Sequence, residues 1–351
     1  MNRFLLATTC MSLALIAGCA SAPPVLETQK FVTAAVETAP AGSQGDSADD
    51  PAIWINPQDR AASLVLGTNK QTGLVVYTLD GVLVQDLRIG RLNNVDLRQS
   101  GDRAYDVAVA SNDQANAISV FFIDRATREV SHRGDVPVNT IEPYGICQGR
   151  ENGLDYAAIA YKDGTVEIWE LTATATELGG TLIRSVKLAS QLEGCVFDEA
   201  QGLLFIGEEA RGLWKLAYRE DAAKPELIDE VGGKAGLVAD VEGVSLWRGK
   251  DGAGWIVVSS QTHDRFVVYD RKAPHVSPGS FSVGENFAPD IDNVTHTDGL
   301  DVSSGALPGF PRGLFAAQDD GNPKKGQDQN FKLVSWADIE AALGLPVLEA
   351  E

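Results

Sequence analysis

The sequence predicts an all-β fold, a six-bladed β-propeller with four antiparallel strands per blade. Three observations predict it. A short strand behind a polar or acidic corner recurs six times: DDPAIWIN, NNVDLR, EPYGIC, LEGCVF, VEGVSLW and TDGLDV. The corner markers Asp50, Asp96, Tyr144, Glu193, Glu242 and Asp298 are spaced by 46, 48, 49, 49 and 56 residues, and a fixed period of this size signals a repeat architecture. Helical periodicity is sustained only in WADIEAAL near the C-terminus, while 35 glycines against 2 methionines suit many tight turns between short strands.

The chain opens with an address. Residues 1–19 carry one positive charge at Arg3, an apolar run of about a dozen residues, then Ile16-Ala17-Gly18-Cys19. The run is too short for a comfortable span and ends in small residues, as a secretion signal does. Its last four residues resemble a bacterial lipobox, which assigns 1–19 as a lipoprotein signal peptide with a lipidated Cys19. An ordinary signal peptide with a coincidental cysteine is the alternative. The expected location is the bacterial cell envelope, lipid-anchored, or secreted, with membrane contact only through the lipid. Residues 20–45 are rich in Ala, Pro, Thr and Ser and read as a tether with a possible closing strand; 46–351 is the propeller.

Inside each unit the corner strand is followed by a second strand ending in a polar loop: LVLGTNK, DVAVASND, AAIAYKDG, LLFIGEEA, WIVVSSQT, GLFAAQDD. A third strand follows: GLVVYTL, AISVFFID, TVEIWEL, GLWKLAY, RFVVYDR, NFKLVSW. A fourth, more polar strand comes next in five units. The sixth lacks it, because the chain turns helical after Trp336. The segment FVTAAVE, from Phe31 to Glu37, is expected to supply that strand, close the ring and remove an exposed edge.

Composition narrows the function. The 351 residues suit one large all-β domain or two ordinary ones, and 44% apolar residues permit a packed body. Lys and Arg number 29 against 49 Asp and Glu, a net charge of −20. Such a surface repels nucleic acid and anionic lipid, so unaided binding to a phosphate-rich partner is disfavoured; a monomer is expected. Four cysteines exclude a disulfide scaffold. Cys147 and Cys195, both in short apolar strands, read as buried small hydrophobes, with one bridge open to them in an oxidising compartment.

Corner and second-strand loops of a propeller converge on one mouth of the central channel. Those loops hold Asp49, Asp50, Glu193, Glu208, Glu209, Asp240, Glu242, Asp292, Asp298, Asp319 and Asp320, with Asn94, Gln261 and Asn322 as neutral oxygen donors. Crowded carboxylates repel one another unless cations neutralise them. An all-oxygen, flexible set favours Ca²⁺ over Mg²⁺. Turn chemistry alone explains an Asp at a corner; it explains Glu193 and Glu242 less well. Lys70 and Lys162 end second strands, Tyr144 stands at a corner, and each can donate to a phosphate oxygen. Nucleophile-elbow, zincin, Walker and dinucleotide motifs are lacking, and the histidines are scattered.

DSADDPAIW (46–54), TNK (68–70), LNNVD (92–96), YG (144–145), EG (193–194), EE (208–209), DVEG (240–243), SSQ (259–261), TDGLDV (297–302), GLFAAQD (313–319) and QNFKLVSW (329–336) together resemble the β-propeller alkaline phytases. The resemblance runs in order from about residue 45 to the end. It implies calcium-dependent hydrolysis of myo-inositol hexakisphosphate to lower inositol phosphates and phosphate, as a 3-phytase. It implies calcium ligands at Asp49, Asp50, Glu193, Glu209, Asp240, Glu242, Gln261, Asp292 and Asp319. Lys70, Tyr144 and Lys162 are implied to contact phosphate, with Glu193 holding calcium and positioning the attacking water. Two positions depart from the family pattern: Gln71 stands where a second lysine is common, and Asp113 where an arginine is common. Arg91 is the nearest candidate to compensate. A propeller lactonase, and a calcium-stabilised binding protein with a degenerate site, are the rival readings.

Overall fold

The computed structural model describes residues 29–139, 142–323 and 328–351. The expected signal peptide, with Cys19, and the first part of the expected tether lie outside them. Six sheets form the six blades. Blade one is Ala48–Trp54, Leu64–Asn69, Gly73–Thr78 and Leu83–Arg88. Blade two runs from Leu92–Arg98 to Val130–Pro137, blade three from Pro143–Glu151 to Leu178–Lys187, and blade four from Leu192–Asp198 to Glu226–Glu230. Blade five begins at Val241–Arg248 and blade six at Leu300–Ser303. The first strand of every unit is innermost, and these strands contact one another in a ring.

The N-terminal segment closes the ring, but it is shared between two blades. Val36–Glu37 pairs antiparallel with Asn330–Ser335 and is the fourth strand of blade six. Lys30–Thr33 instead adds in parallel to Gly279–Gly284, giving blade five a fifth strand. Both additions cover strand edges that would otherwise be open to solvent.

Apolar side chains on both faces of each sheet build six separate cores, one between each pair of neighbouring blades. That explains why second and third strands read as unbroken apolar runs rather than alternating ones. The helix Trp336–Leu343 covers the fifth-to-sixth interface, where Trp336 stacks on Trp247 at 5.9 Å. Among the described residues no helix is long and apolar enough to cross a membrane.

The ring is also stitched by carboxylates. Asp301 of blade six accepts from the backbone N–H of Ile53 in blade one at 2.8 Å. Asp50 of blade one accepts from Val95 of blade two at 3.1 Å, and Asp96 of blade two from Gln148 of blade three at 2.8 Å. Cys147 and Cys195 are buried and joined as a disulfide between the innermost strands of blades three and four.

Candidate active site

The corner glycines explain why the acidic crown assembles. A Cβ on Gly145 would lie 1.8 Å from the carbonyl oxygen of Glu193, and one on Gly194 2.4 Å from that of Glu242. Gly243 and Gly299 abut the next corner in the same way. Each glycine therefore lets one innermost strand press against the corner of its neighbour, which draws Tyr144, Glu193, Glu242, Asp298 and Asp49 toward one channel mouth. Backbone bonds from Gly243 to Asp298 (2.8 Å) and from Gly299 to Asp49 (3.1 Å) fix the last two steps.

At this mouth Glu193, Glu209 and Glu242 each present a carboxylate oxygen within 4.8 Å of the others. Both oxygens of Asp49 and of Glu193, and Oε2 of Glu242, are buried with no hydrogen-bond partner. Burial holds Asp49, Glu193 and Glu242 well above the ordinary carboxylate range, and their mutual repulsion adds to it. Glu209 is raised too, by burial, although Gln191 donates to it. Asp240 borders Glu209, and its carbonyl accepts from the N–H of Gln261, whose amide donates to Asp298.

Two lysines and a tyrosine face the carboxylates. Lys70 Nζ lies 2.6 Å from Asp298, 3.1 Å from Asp46 and 3.9 Å from Asp49. Burial opposes its charge, but Asp49, Asp298 and Glu193 hold the ammonium above its usual value. Lys162, exposed at the end of the second strand of blade three, places Nζ 4.6 Å from the ring centre of Tyr144. The charge of Glu193, then burial, pushes the Tyr144 phenol above its usual range, so its hydroxyl keeps its proton as a donor.

The remaining expected ligands are placed elsewhere. Asp50 turns along the channel wall to Val95, where the missing side chain of Gly299 makes room for it. Asp292 and Asp319 sit farther out on blade six around Lys332, at 2.8 and 2.9 Å from its Nζ. Lys332 is fully buried and also meets Glu37 at 3.1 Å and Asn322 at 2.7 Å. Burial pushes Asp319 up to about 6 despite Lys332. Glu208 accepts from Ser190 and Trp214 and supports a loop rather than the mouth. Asp113 pairs with Arg91 at 2.9 Å, so the compensating arginine is already engaged. Gln71 donates to the backbone of Gln44 and Asp46.

Lys332 and Asp46 are the residues that sequence reasoning missed. A lysine inside the apolar run NFKLV was the available signal for Lys332, since an unpaired lysine is almost never fully buried. Asp46 lies before the first corner strand, where it opens the motif DSADDPAIW without a corner position to single it out.

Residues 2–348 match the model of the phytase family. A 3-phytase of Bacillus subtilis (strain 168) is 35% identical over 350 residues, covering 95% of this chain and 91% of that protein. The chain belongs to the phytase family. Among solved structures, a chain in the crystal structure of the mitotic checkpoint complex superposes with a TM-score of 0.51 at 12% identity. It covers 95% of this chain and 87% of that one, and this likeness concerns the propeller fold alone. Membership of the phytase family leaves the lactonase reading without support.

Proposed function

We propose that this protein is a calcium-dependent phosphomonoesterase that hydrolyses myo-inositol hexakisphosphate to lower inositol phosphates and phosphate. The observation that carries it is the set of buried carboxylate oxygens of Asp49, Glu193 and Glu242, left without donors beside Lys70, Tyr144 and Lys162. Unpaired buried carboxylates are costly, and an all-oxygen donor set fits a hard divalent cation. Glu193, Glu209, Glu242, Asp240, Gln261 and Asp49 would hold such an ion at the mouth. Asp292 and Asp319 would hold another, with Asp50 lending charge from the channel wall. Bound calcium supplies positive charge to the phosphoryl oxygens and acidifies water.

The chain's own groups do the rest. Lys70 and Lys162 neutralise phosphoryl oxygens, and the Tyr144 hydroxyl donates to one of them. Glu193 orients the attacking water and takes up its proton as the new P–O bond forms; the ester P–O bond breaks and that proton passes on to the leaving inositol oxygen. Cys147 and Cys195 are bridged, so neither offers a thiolate nucleophile, and the attack we propose is by water directly. The heavily anionic substrate and a chain of net charge −20 repel each other, which makes metal loading a condition of productive binding. A lipidated Cys19 would keep a single chain at the cell envelope.

The deciding experiment measures phosphate release from phytate by the mature chain, first in calcium and then in excess chelator. Release in calcium that stops with chelator and returns with added calcium is expected. Equal rates in both conditions would end the proposal.

A further inference from the structure

The innermost strands that start at the acidic mouth end at the other mouth of the channel, and there arginines gather among carboxylates. A cavity of about 640 Å³ lies at that end, lined by Arg60, Arg98, Arg150, Arg248 and Arg271. A chain with 29 basic and 49 acidic residues gathers five guanidiniums in one concavity. Four carboxylates also border it, Asp96, Glu199, Asp301 and Glu351. Two of these are largely used in the fold. Asp301 accepts from Ile53 N, Ser245 Oγ and Val302 N, at 2.7 to 2.8 Å. Asp96 accepts from Gln148 N at 2.8 Å, Leu97 N at 2.7 Å and Arg98 at 3.0 Å.

The arginines divide the same way. Arg271 is held by Asp198 at 2.7 Å, and Arg150 by Asp155 at 2.6 Å. Apart from Arg60 at the rim, Arg98 and Arg248 are the ones left with capacity. Both line the cavity and the narrow throat of the channel behind it. Arg98 bonds Glu199 through Nε at 2.9 Å and Asp96 through Nη1, while its buried Nη2 has no partner. Arg248 donates to the Phe197 carbonyl at 2.7 Å and lies 3.7 Å from Glu199. One glutamate thus serves two guanidiniums. Burial, and then the charge of Arg98, push Arg248 below its ordinary value. A buried guanidinium N–H without an acceptor is costly, and two arginine forks facing one cavity match the oxygens of a phosphate.

We infer that the rear mouth of the channel is a second anion site, in which Arg98 and Arg248 bind a phosphate group, with Arg60 at the rim. The site lies at the opposite end of the channel from the carboxylate crown and shares no residue with it. Phosphate reaches it either as the free anion or as a phosphomonoester.

The test uses the full mature chain in excess chelator, so that no hydrolysis proceeds. Inorganic phosphate and, separately, myo-inositol hexakisphosphate are titrated by calorimetry. Binding of inorganic phosphate is expected, weakened about tenfold or more in the double variant Arg98→Gln, Arg248→Gln and unchanged in Lys70→Ala. Inositol hexakisphosphate binding with the same dependence extends the site to esters; its absence restricts the site to the free anion. If neither anion binds, or if Lys70→Ala alone abolishes binding, the inference is overturned and the rear mouth holds only water. Should the double variant not fold, phosphate must protect Arg98 and Arg248 of the unmodified chain from phenylglyoxal, read by peptide mass spectrometry. Equal labelling with and without phosphate would overturn the inference as well.

Discussion

Lys70 Nζ lies 2.6 Å from the carboxylate of Asp298, across the join between blade one and blade six. The strand order puts these residues at the two ends of the ring, 228 positions apart in sequence. Their contact makes closure of the propeller a condition for placing the Lys70 ammonium, the proposed phosphate contact. Lys70→Ala is expected to lower kcat/KM for phytate by about 10²-fold, the usual scale for removing one preorganised donor of charge. Unchanged circular dichroism with that loss would locate the defect in the site.

Glu193 sits at the centre of the cluster, buried, with neither carboxylate oxygen bonded. Glu193→Gln keeps the shape and removes the charge. The rate is expected to fall by about 10²–10⁴-fold, the range for loss of a positioned base, and calcium affinity should fall with it. A variant with wild-type turnover would show that the water is oriented elsewhere.

Asp49, Glu193, Glu242 and Asp319 all have carboxyls raised in the folded chain, Asp319 to about 6. Between the ordinary carboxylate value of about 4 and these raised values, the folded state binds more protons than the unfolded. Stability then falls as pH rises. In chelator the Tm should drop as pH rises from about 4 through about 6, and calcium should abolish the drop. A Tm that climbs over that window without metal would contradict the electrostatic reading.

The Cys147–Cys195 bridge spans 48 positions and ties the strand carrying Tyr144 to the strand carrying Glu193. Closing a loop of that length contributes about 4 kcal/mol in the chain-entropy model. Denaturant unfolding of Cys195→Ser should show a loss of about 2–4 kcal/mol. Phytate turnover should decline at a lower temperature than in the bridged chain.

Asp113 holds Arg91 at 2.9 Å, and the proposed function has use for a free cation in its place. Asp113→Asn should release that guanidinium and lower KM for phytate, with kcat little altered. Steady-state kinetics at low and high salt would check it, because the gain should shrink as salt screens the charge.

Much of the architecture is legible along the chain because a propeller blade is local. Each blade is one stretch of sequence, so a period near 48 and corner dipeptides such as Glu193-Gly194 expose both the fold and its acidic mouth. Membership of the phytase family is readable for the same reason, since its motifs keep their order. What the tertiary structure alone decided lies between blades. It set Asp292 and Asp319 around the buried Lys332, turned Asp50 to Val95, joined Cys147 to Cys195, and divided Phe31–Glu37 between two sheets. A carboxylate's partner in these places comes from a strand far away in sequence. Spacing sets which side chains reach the ring, and only closing the ring settles which charges meet.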